Sequence, residues 1–239
     1  MSKRWFLRRV TTWMSEGIKR HRGTMGGPFQ RALGHVESLF IDHAVIRLAY
    51  ANRHRVTPDM YRASQPSPSH VKAAADLGIR TIINLRGSRD CASFYLEDEA
   101  CRRYGVDLVN FPVNSRDMPK KETLHRAREI FATIEYPALL HCKSGADRAG
   151  LMAGLYLLIH ESRPVEEAAK QLHWKYGHIK QAKTGILDYF FDLYRLYNER
   201  QPTPFFDWVD RVYDPVAAKE SFRSKEWANT VVDRILSRE

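Results

Sequence analysis

The ten residues 141–150, HCKSGADRAG, constrain the fold of this chain more than any other stretch. A short apolar run at 136–140 precedes them, with the length of a buried strand. The run at 149–159 that follows is small or apolar on nearly all sides, which is typical of a helix buried inside a domain. The sequence therefore predicts a buried strand, a loop and a buried helix in succession.

Cys142 and Arg148 give this predicted loop its chemistry. Backbone N–H groups and the positive end of a helix dipole both stabilise anions, so the Cys142 thiol is expected to ionise more readily than a free cysteine. Arg148 follows six residues later, and its guanidinium group binds two phosphoryl oxygens in parallel, which a lysine cannot do. The pair predicts phosphoryl transfer through a cysteinyl-phosphate, stabilised by Arg148 and the loop amides, with no metal required.

The pattern His141-Cys142, five residues, then Arg148-Ala149-Gly150 resembles the phosphate loop of the cysteine-dependent protein tyrosine and dual-specificity phosphatases. The resemblance implies an α/β fold with a mostly parallel central sheet flanked by helices, and it implies no cofactor and no metal ion. The residues that it places around the phosphate are Lys143, Ser144, Gly145, Ala146, Asp147 and Arg148. The alternatives are a rhodanese-like or arsenate-reducing loop, or a buried structural cysteine in an ordinary βα turn.

Two residues of this loop depart from the common family pattern. Ala149 stands where these enzymes usually have Ser or Thr, whose hydroxyl helps the thiolate leave the phosphoenzyme, so an inactive phosphate-recognising module is one alternative. Asp147 resembles the loops of myotubularins and of bacterial phosphatases that act on phosphoinositides as well as phosphotyrosine. We expect a phosphorylated protein as substrate, and an anionic phospholipid such as phosphatidylglycerophosphate or a phosphoinositide as the alternative.

Two aspartates compete for the role of general acid. Family enzymes place an aspartate on a mobile loop, where it protonates the leaving oxygen and later activates water. Asp117, which lies 25 residues before Cys142, is the matching residue. Asp147 is its competitor, by likeness to the phosphoinositide-directed loops. A purely structural role for Asp117, capping a helix that begins near Lys120, is the third possibility.

Three more side chains are candidates for supporting roles. His141 is expected to hydrogen-bond the backbone near Cys142 and to orient the loop. Arg86 follows a predicted strand, and ligands of open α/β sheets bind beyond the carboxyl ends of the strands, so it either adds charge for phosphate or is a solvated arginine at the rim. Gln181 lies in a basic loop at 173–183, and some family members position water with a glutamine in a comparable loop.

The basic residues of the chain, whose net charge is +10, are concentrated at its start. The first 31 residues hold eight Lys and Arg against one acid. A helical wheel of residues 4–22 gathers six apolar side chains on one arc, namely Phe6, Leu7, Val10, Trp13, Met14 and Ile18. This predicts a basic amphipathic helix that lies on an anionic membrane, with packing on the domain or a mitochondrial presequence as alternatives. No base-reading motif accompanies the charge, so no nucleic acid is expected.

A length of 239 residues fits one sizeable domain with extensions. We expect a helical N-terminal extension at 1–52, a catalytic domain at 53–200, and an aromatic-rich helical extension at 201–239. This last segment is expected to pack on the domain or on the N-terminal helix, with a membrane-facing aromatic patch as the alternative. Within the domain, residue spacing predicts helices at 67–77, 95–104, 120–134 and 186–197 and strands at 79–85 and 106–113.

Three cysteines cannot all pair, which favours a reducing, cytoplasmic compartment. Cys91 and Cys101 are expected to be packing residues, with a role as resolving thiol for oxidised Cys142 as the alternative for either. Neither a secretory signal nor a bilayer-spanning stretch is expected.

Overall fold

A computed structural model gives the architecture of the chain and describes residues 51–223. The amphipathic helix predicted at 4–22, with all but the last two residues of the predicted N-terminal extension, lies outside the described residues. The same holds for the predicted C-terminal extension beyond residue 223.

Within the described residues, five strands form one sheet. They are β1 (His54–Arg55), β2 (Met60–Ser64), β3 (Thr81–Asn84), β4 (Asp107–Asn110) and β5 (Ala138–Cys142). Their order is β1-β2-β5-β3-β4, and only the pairing of β1 with β2 is antiparallel. Leu139 of β5 lies between Tyr61 and Ile82 of its two neighbours. The mostly parallel sheet is confirmed, and Cys142 is the last residue of its central strand.

The sequence of β5 explains its central place. All five of its residues are buried, as expected for a parallel strand that is covered on both faces. The strand begins two residues later than the apolar run because Pro137 has no N–H to donate to a neighbouring strand. The carbonyl of Pro137 accepts from the N–H of Arg80 at 2.8 Å, and the N–H of Ala138 donates to the carbonyl of Asp59 at 2.8 Å.

Two helices pack beside the sheet. The sequence marks the start of the first helix and the end of the second, and the structure has both. Helix α1 (Pro68–Asp76) begins with a capping box, in which Ser67 accepts from the N–H of His70 and the His70 ring accepts from the N–H of Ser67. Helix α2 (Ala92–Tyr104) begins three residues before the predicted start and ends at Gly105, which has the left-handed conformation common after helices.

The contacts divide the described chain into two compact units. The first combines residues 51–112 with 135–145 and contains the sheet, α1 and α2. Its core includes an apolar cluster from β2, β3, β5 and both helices: Ala63, Val71, Ala74, Ile79, Ile82, Ala100, Cys101, Val106 and Leu139. Cys101 is thus a packing residue, as predicted, and burial raises the pKa of its thiol to about 12.

The second unit combines residues 113–134 with 146–223. Its helices are α3 (Lys121–Thr133), α4 (Asp147–Ile159), α5 (Val165–Ala169), α6 (Ile186–Arg200) and α7 (Phe205–Arg211), with two short 3-10 turns at Trp174–Tyr176 and Lys183–Gly185. Residues 215–223 are also helical. Helix α4 is buried along most of its length, as its apolar sequence predicts.

The described part of the C-terminal extension packs on α6. The rings of Phe205 and Trp208 lie 5.1 and 5.2 Å from the ring of Tyr194, and Tyr213 lies 5.4 Å from Phe190. The prediction that this segment returns to the domain is therefore confirmed for residues 205–213. Among residues 51–223, no helix combines the length and the apolar character needed to cross a bilayer.

Candidate active site

Cys142 lies where the predicted strand, loop and helix meet. Strand β5 ends at Cys142, four residues form the loop, and α4 begins at Asp147, so the prediction is confirmed. The side chain is buried, and the N–H of Gly145 donates to its sulfur at 3.2 Å. Hydrogen bonds to the charged form of a group favour that form, so this donor stabilises negative charge on the sulfur.

The peptide between Ser144 and Gly145 is held on both of its sides. Asn52 Nδ2 donates to the Ser144 carbonyl at 2.8 Å. Because a peptide is planar, its carbonyl and its N–H point in opposite directions. The bond from Asn52 therefore directs the N–H of Gly145 towards Cys142.

Gly145 is required by both its conformation and its surroundings. Its φ is +76°, a region that side-chain-bearing residues rarely adopt. A Cβ atom here would lie 2.7 Å from the carbonyl carbon of Ala63 and 2.8 Å from the nitrogen of Ser64. Arg62, a fully buried side chain of β2, donates through Nη2 to the Gly145 carbonyl at 2.8 Å. The loop thus rests directly on the backbone of β2.

His141 has the contact with the loop backbone that the sequence predicts. Its Nδ1 lies 3.3 Å from the carbonyl oxygen of Cys142. Its Nε2 lies 2.5 Å from Glu97 Oε1, and this close contact does not have the alignment of a regular hydrogen bond. Glu97 and His141 are both fully buried, and Gln65 Nε2 donates to Glu97 Oε2 at 3.0 Å. Glu97 and Gln65 therefore hold His141 in place.

Arg86 lies just beyond the carboxyl end of β3. It is half-buried, and its guanidinium group donates to Gln65 Oε1. Its backbone N–H donates to Asn84 Oδ1 at 2.9 Å. A contribution of Arg86 to phosphate binding stays a prediction.

The predicted phosphate-binding residues differ in exposure. Lys143 and Ser144 are exposed, Gly145 and Ala146 are buried, and Asp147 and Arg148 are half-buried. Arg148 is the second residue of α4 and so lies in its first turn.

Asp147 is held by a buried histidine. His178 Nδ1 lies 2.7 Å from Asp147 Oδ1, and its Nε2 lies 2.7 Å from Asp188 Oδ2. Burial disfavours the charged ring, but the hydrogen bonds to Asp147 and Asp188 outweigh burial and raise the pKa of His178 to about 9. At neutral pH the ring is therefore an imidazolium between two carboxylates.

Asp117 also has a cationic partner. Lys219 Nζ donates to Asp117 Oδ2 at 2.8 Å, and this bond lowers the pKa of Asp117. Its other oxygen accepts from the N–H of Met118 at 2.9 Å. The N-cap residue of α3 is Lys120, so the alternative in which Asp117 caps this helix is wrong.

Gln181 is exposed in a turn between the two 3-10 segments of the second unit. Its predicted role in positioning water stays a prediction. In the part of the chain that the structure describes, no group of three or more His, Cys, Asp or Glu side chains is arranged to hold a metal ion.

Several supporting residues were not predicted from the sequence. Asn52, Arg62, Glu97 and Lys219 each contact a predicted site residue or the loop backbone. Only Arg62 carries a signal in the sequence, because an arginine inside an otherwise buried strand must find polar partners.

A family model described as "DSP-PTPase phosphatase fused to NAD+ Kinase" matches residues 49–185, which is more than half of the chain. The matched span includes β5, the loop and the start of α4. The chain therefore belongs to this family of dual-specificity and tyrosine phosphatase domains, as the resemblance of its loop predicts.

Among individual proteins, the chain is similar to the dual specificity protein phosphatase TpbA of Pseudomonas aeruginosa strain UCBPP-PA14. The two are 26% identical over 124 residues, which cover 51% of this chain and 53% of TpbA. The match to TpbA of the strain ATCC 15692 is 25% identical over 130 residues, 53% and 56% of the two chains. The chain thus spans about half the length of these relatives. A crystal structure of P. aeruginosa TpbA aligns with a TM-score of 0.49 and 23% identity over 62% of this chain and 91% of that one.

Proposed function

We propose that this chain is a metal-independent phosphomonoester hydrolase that uses Cys142 as its nucleophile. The observation that carries the proposal is the position of Cys142, at the end of the central strand of a phosphatase-family domain, with the Gly145 N–H donating to its sulfur. A buried thiol in an ordinary βα turn would need no such donor.

The proposed reaction has two steps. The Cys142 thiolate attacks phosphorus, the bond from phosphorus to the ester oxygen breaks, and a general acid protonates the departing alcohol. Water, deprotonated by the same carboxylate, then attacks the cysteinyl-phosphate and releases inorganic phosphate and the thiolate. Arg148 and the amides of Lys143, Ser144, Gly145, Ala146 and Asp147 are proposed to bind the phosphoryl oxygens.

A phosphorylated protein is the proposed substrate. The relative TpbA is named a dual specificity protein phosphatase, and one crystal structure of it is a complex with pTyr. We therefore expect phosphotyrosyl peptides to be hydrolysed, with phosphoserine and phosphothreonine peptides as further substrates.

The experiment that tests this proposal measures phosphate release from a phosphotyrosyl peptide. Cys142→Ser should abolish release, and Arg148→Lys, which keeps the charge but loses the forked donor, should lower kcat/KM by about 10²-fold. Arg163→Lys is the matched control, because Arg163 is exposed and follows the other end of α4. Release that persists in Cys142→Ser would refute the proposed mechanism.

Asp117 is the proposed general acid. Its partner Lys219 is a single surface side chain, about 30% exposed, whereas the partner of Asp147 is a buried ring that a second carboxylate also holds. Asp117→Asn should slow the hydrolysis of alkyl phosphates by about 10²-fold or more, because their leaving groups need a proton. Hydrolysis of p-nitrophenyl phosphate should slow by less, since p-nitrophenolate leaves without a proton. A selective loss in Asp147→Asn would assign the role to Asp147 instead.

A phospholipid substrate is the second candidate, together with peripheral association with a membrane. Residues 168–187 hold four lysines and no acid, and Trp174 within them is 78% exposed. Basic segments with exposed Trp are typical of surfaces that bind anionic membranes. This segment and the basic helix predicted at 4–22 both support association with a membrane. The three free cysteines support a cytoplasmic location.

The lipid candidate is tested with vesicles that contain phosphatidylglycerophosphate or a phosphoinositide. Trp13→Asp falls on the predicted apolar arc of residues 4–22, and Thr12→Asp, the matched control, falls on the opposite side. Loss of release from vesicles in Trp13→Asp alone, with peptide hydrolysis unchanged, is the expected result. Phosphate binding without any release, from peptide or vesicle, would instead identify an inactive recognition module, the alternative that Ala149 motivates.

A further inference from the structure

His178 connects two acidic side chains of the second unit. Its ring is only 1% exposed, whereas the side chains of Asp147 and Asp188 are 27% and 11% exposed. Both ring nitrogens lie 2.7 Å from a carboxylate oxygen, a distance typical of charge-assisted hydrogen bonds. This arrangement lies outside the reaction steps described above.

The ring is held from two different helices. Asp147 is the first residue of α4, and Asp188 lies in the first turn of α6. These two carboxylates are the charged groups that act on the ring, and its own segment, 173–183, contains no acid. The position of the ring therefore depends on both helices.

Asp147 is an unusual residue for a loop that binds phosphate. It immediately precedes Arg148, so an unneutralised carboxylate here would repel the phosphoryl oxygens and compete for the arginine. A cationic partner removes this repulsion. The partner of Asp117 is one partly exposed surface lysine, whereas Asp147 accepts its hydrogen bond from a buried imidazolium that Asp188 also holds in place. Asp147 therefore stays a carboxylate with no proton to give to a leaving group.

We propose that His178 is a positioning residue of the phosphate loop, which fixes and neutralises Asp147 at the start of α4 and thereby withholds it from proton transfer. The inference rests on the proposed phosphatase function and deepens it. It predicts that phosphate binding depends on Asp188 at alkaline pH, although Asp188 itself is not proposed to contact the substrate.

The test substitutes Asp188 by Asn in the full chain and measures kcat/KM for a phosphotyrosyl peptide from pH 6 to pH 9. Asn keeps the shape of the side chain but removes the charge that favours the imidazolium. The alkaline limb of the profile should move to lower pH by about 1 unit. Activity at pH 6 should match that of the wild type, because His178 is protonated there in both proteins, and this also verifies the fold of the variant.

Asp192→Asn is the matched control. Asp192 lies one turn further along α6, is about 37% exposed, and pairs with Lys180 and Arg195 at the surface. The control therefore carries the same substitution on the same helix. Asp192 also contacts the basic loop at 173–183, through Lys180, but it has no contact with His178. Its pH profile should match that of the wild type.

The ring of His178 can also be observed directly by NMR. Its resonance, assigned by its disappearance in His178→Asn, should titrate near pH 9 in the wild type and at lower pH in Asp188→Asn. A wild-type titration near pH 6.5, or an equal loss of activity at every pH in Asp188→Asn, would overturn the inference.

The outcomes also separate this inference from the proposed function. If no phosphate release depends on Cys142, the proposed function is wrong and the inference falls with it. If release depends on Cys142 but Asp188→Asn has the wild-type profile, the inference alone is overturned.

Discussion

Replacement of Gly145 by Ala should damage the loop through two separable effects. The first is conformational, because a residue with a side chain at a φ of +76° costs about 1–2 kcal/mol. The second is steric, because the new Cβ would lie 2.7–2.9 Å from three backbone atoms of Ala63 and Ser64. Forcing an atom into a packed site costs about 1–3 kcal/mol. Together, the free energy of unfolding should fall by about 2–5 kcal/mol.

Gly78→Ala separates the two effects. Gly78 has a φ of +82°, but a Cβ there would meet nothing within 4 Å. Only the conformational cost applies, so this control should lose about 1–2 kcal/mol. Both glycines belong to the first unit, and urea unfolding followed by circular dichroism measures both variants under the same conditions.

The difference between the two variants is the decisive quantity. Gly145→Ala should be less stable than Gly78→Ala by about 1–3 kcal/mol and should also lose phosphate release. If the two variants are equally stable and Gly145→Ala retains wild-type release, the close contact between the loop and β2 does not constrain the protein, and the reasoning is refuted.

Three further predictions concern buried or charged contacts. Arg62→Met should lower the free energy of unfolding by about 1–3 kcal/mol, because the carbonyl of Gly145 loses its donor; an unchanged urea midpoint would contradict this. The lowered pKa of Asp117 contributes stability above its ordinary value of 3.8 that is lost as pH falls through the folded value. Lys219→Met should therefore be less stable than the wild type at pH 7, and this difference in the free energy of unfolding should be smaller at pH 2. An equal difference at both pH values would contradict the prediction. The raised pKa of His178 contributes stability that is complete below 6.5 and lost as pH rises through about 9. Urea unfolding from pH 6 to 10 should show this loss of stability in the wild type and a smaller loss in Asp188→Asn. If the free energy of unfolding changes equally with pH in both proteins, the contacts of His178 with Asp147 and Asp188 do not stabilise the fold.

Local signals account for the elements that the sequence predicts well. Ser67 before Pro68 marks the start of α1, and Gly105 marks the end of α2, because each satisfies backbone groups at a helix end. The central strand and the buried helix α4 follow from continuous apolar runs. These signals depend on neighbours in the chain, so one sequence is enough to read them.

The residues that were missed act over long distances in sequence. Asn52 lies 92 residues from Ser144, and Arg62 lies 83 residues from Gly145. Neither spacing follows a helix or strand period, so only the folded sheet brings these pairs together. The alternative in which Asp117 caps α3 is wrong for a similar reason, because the lysine that binds its carboxylate lies 102 residues further along the chain.

The peptide between Ser144 and Gly145 explains why the local motif is not sufficient by itself. Its carbonyl is bound by Asn52, its N–H donates to Cys142, and the Gly145 carbonyl is bound by Arg62. The backbone of β2 also excludes a side chain at Gly145. Together, these contacts hold Gly145 in its left-handed conformation. A conformation that costs energy locally persists when the surrounding structure fixes it in this way. The ten-residue motif therefore supplies the reactive groups, whereas Asn52 and the strand that carries Arg62 set the direction of the N–H that stabilises the sulfur.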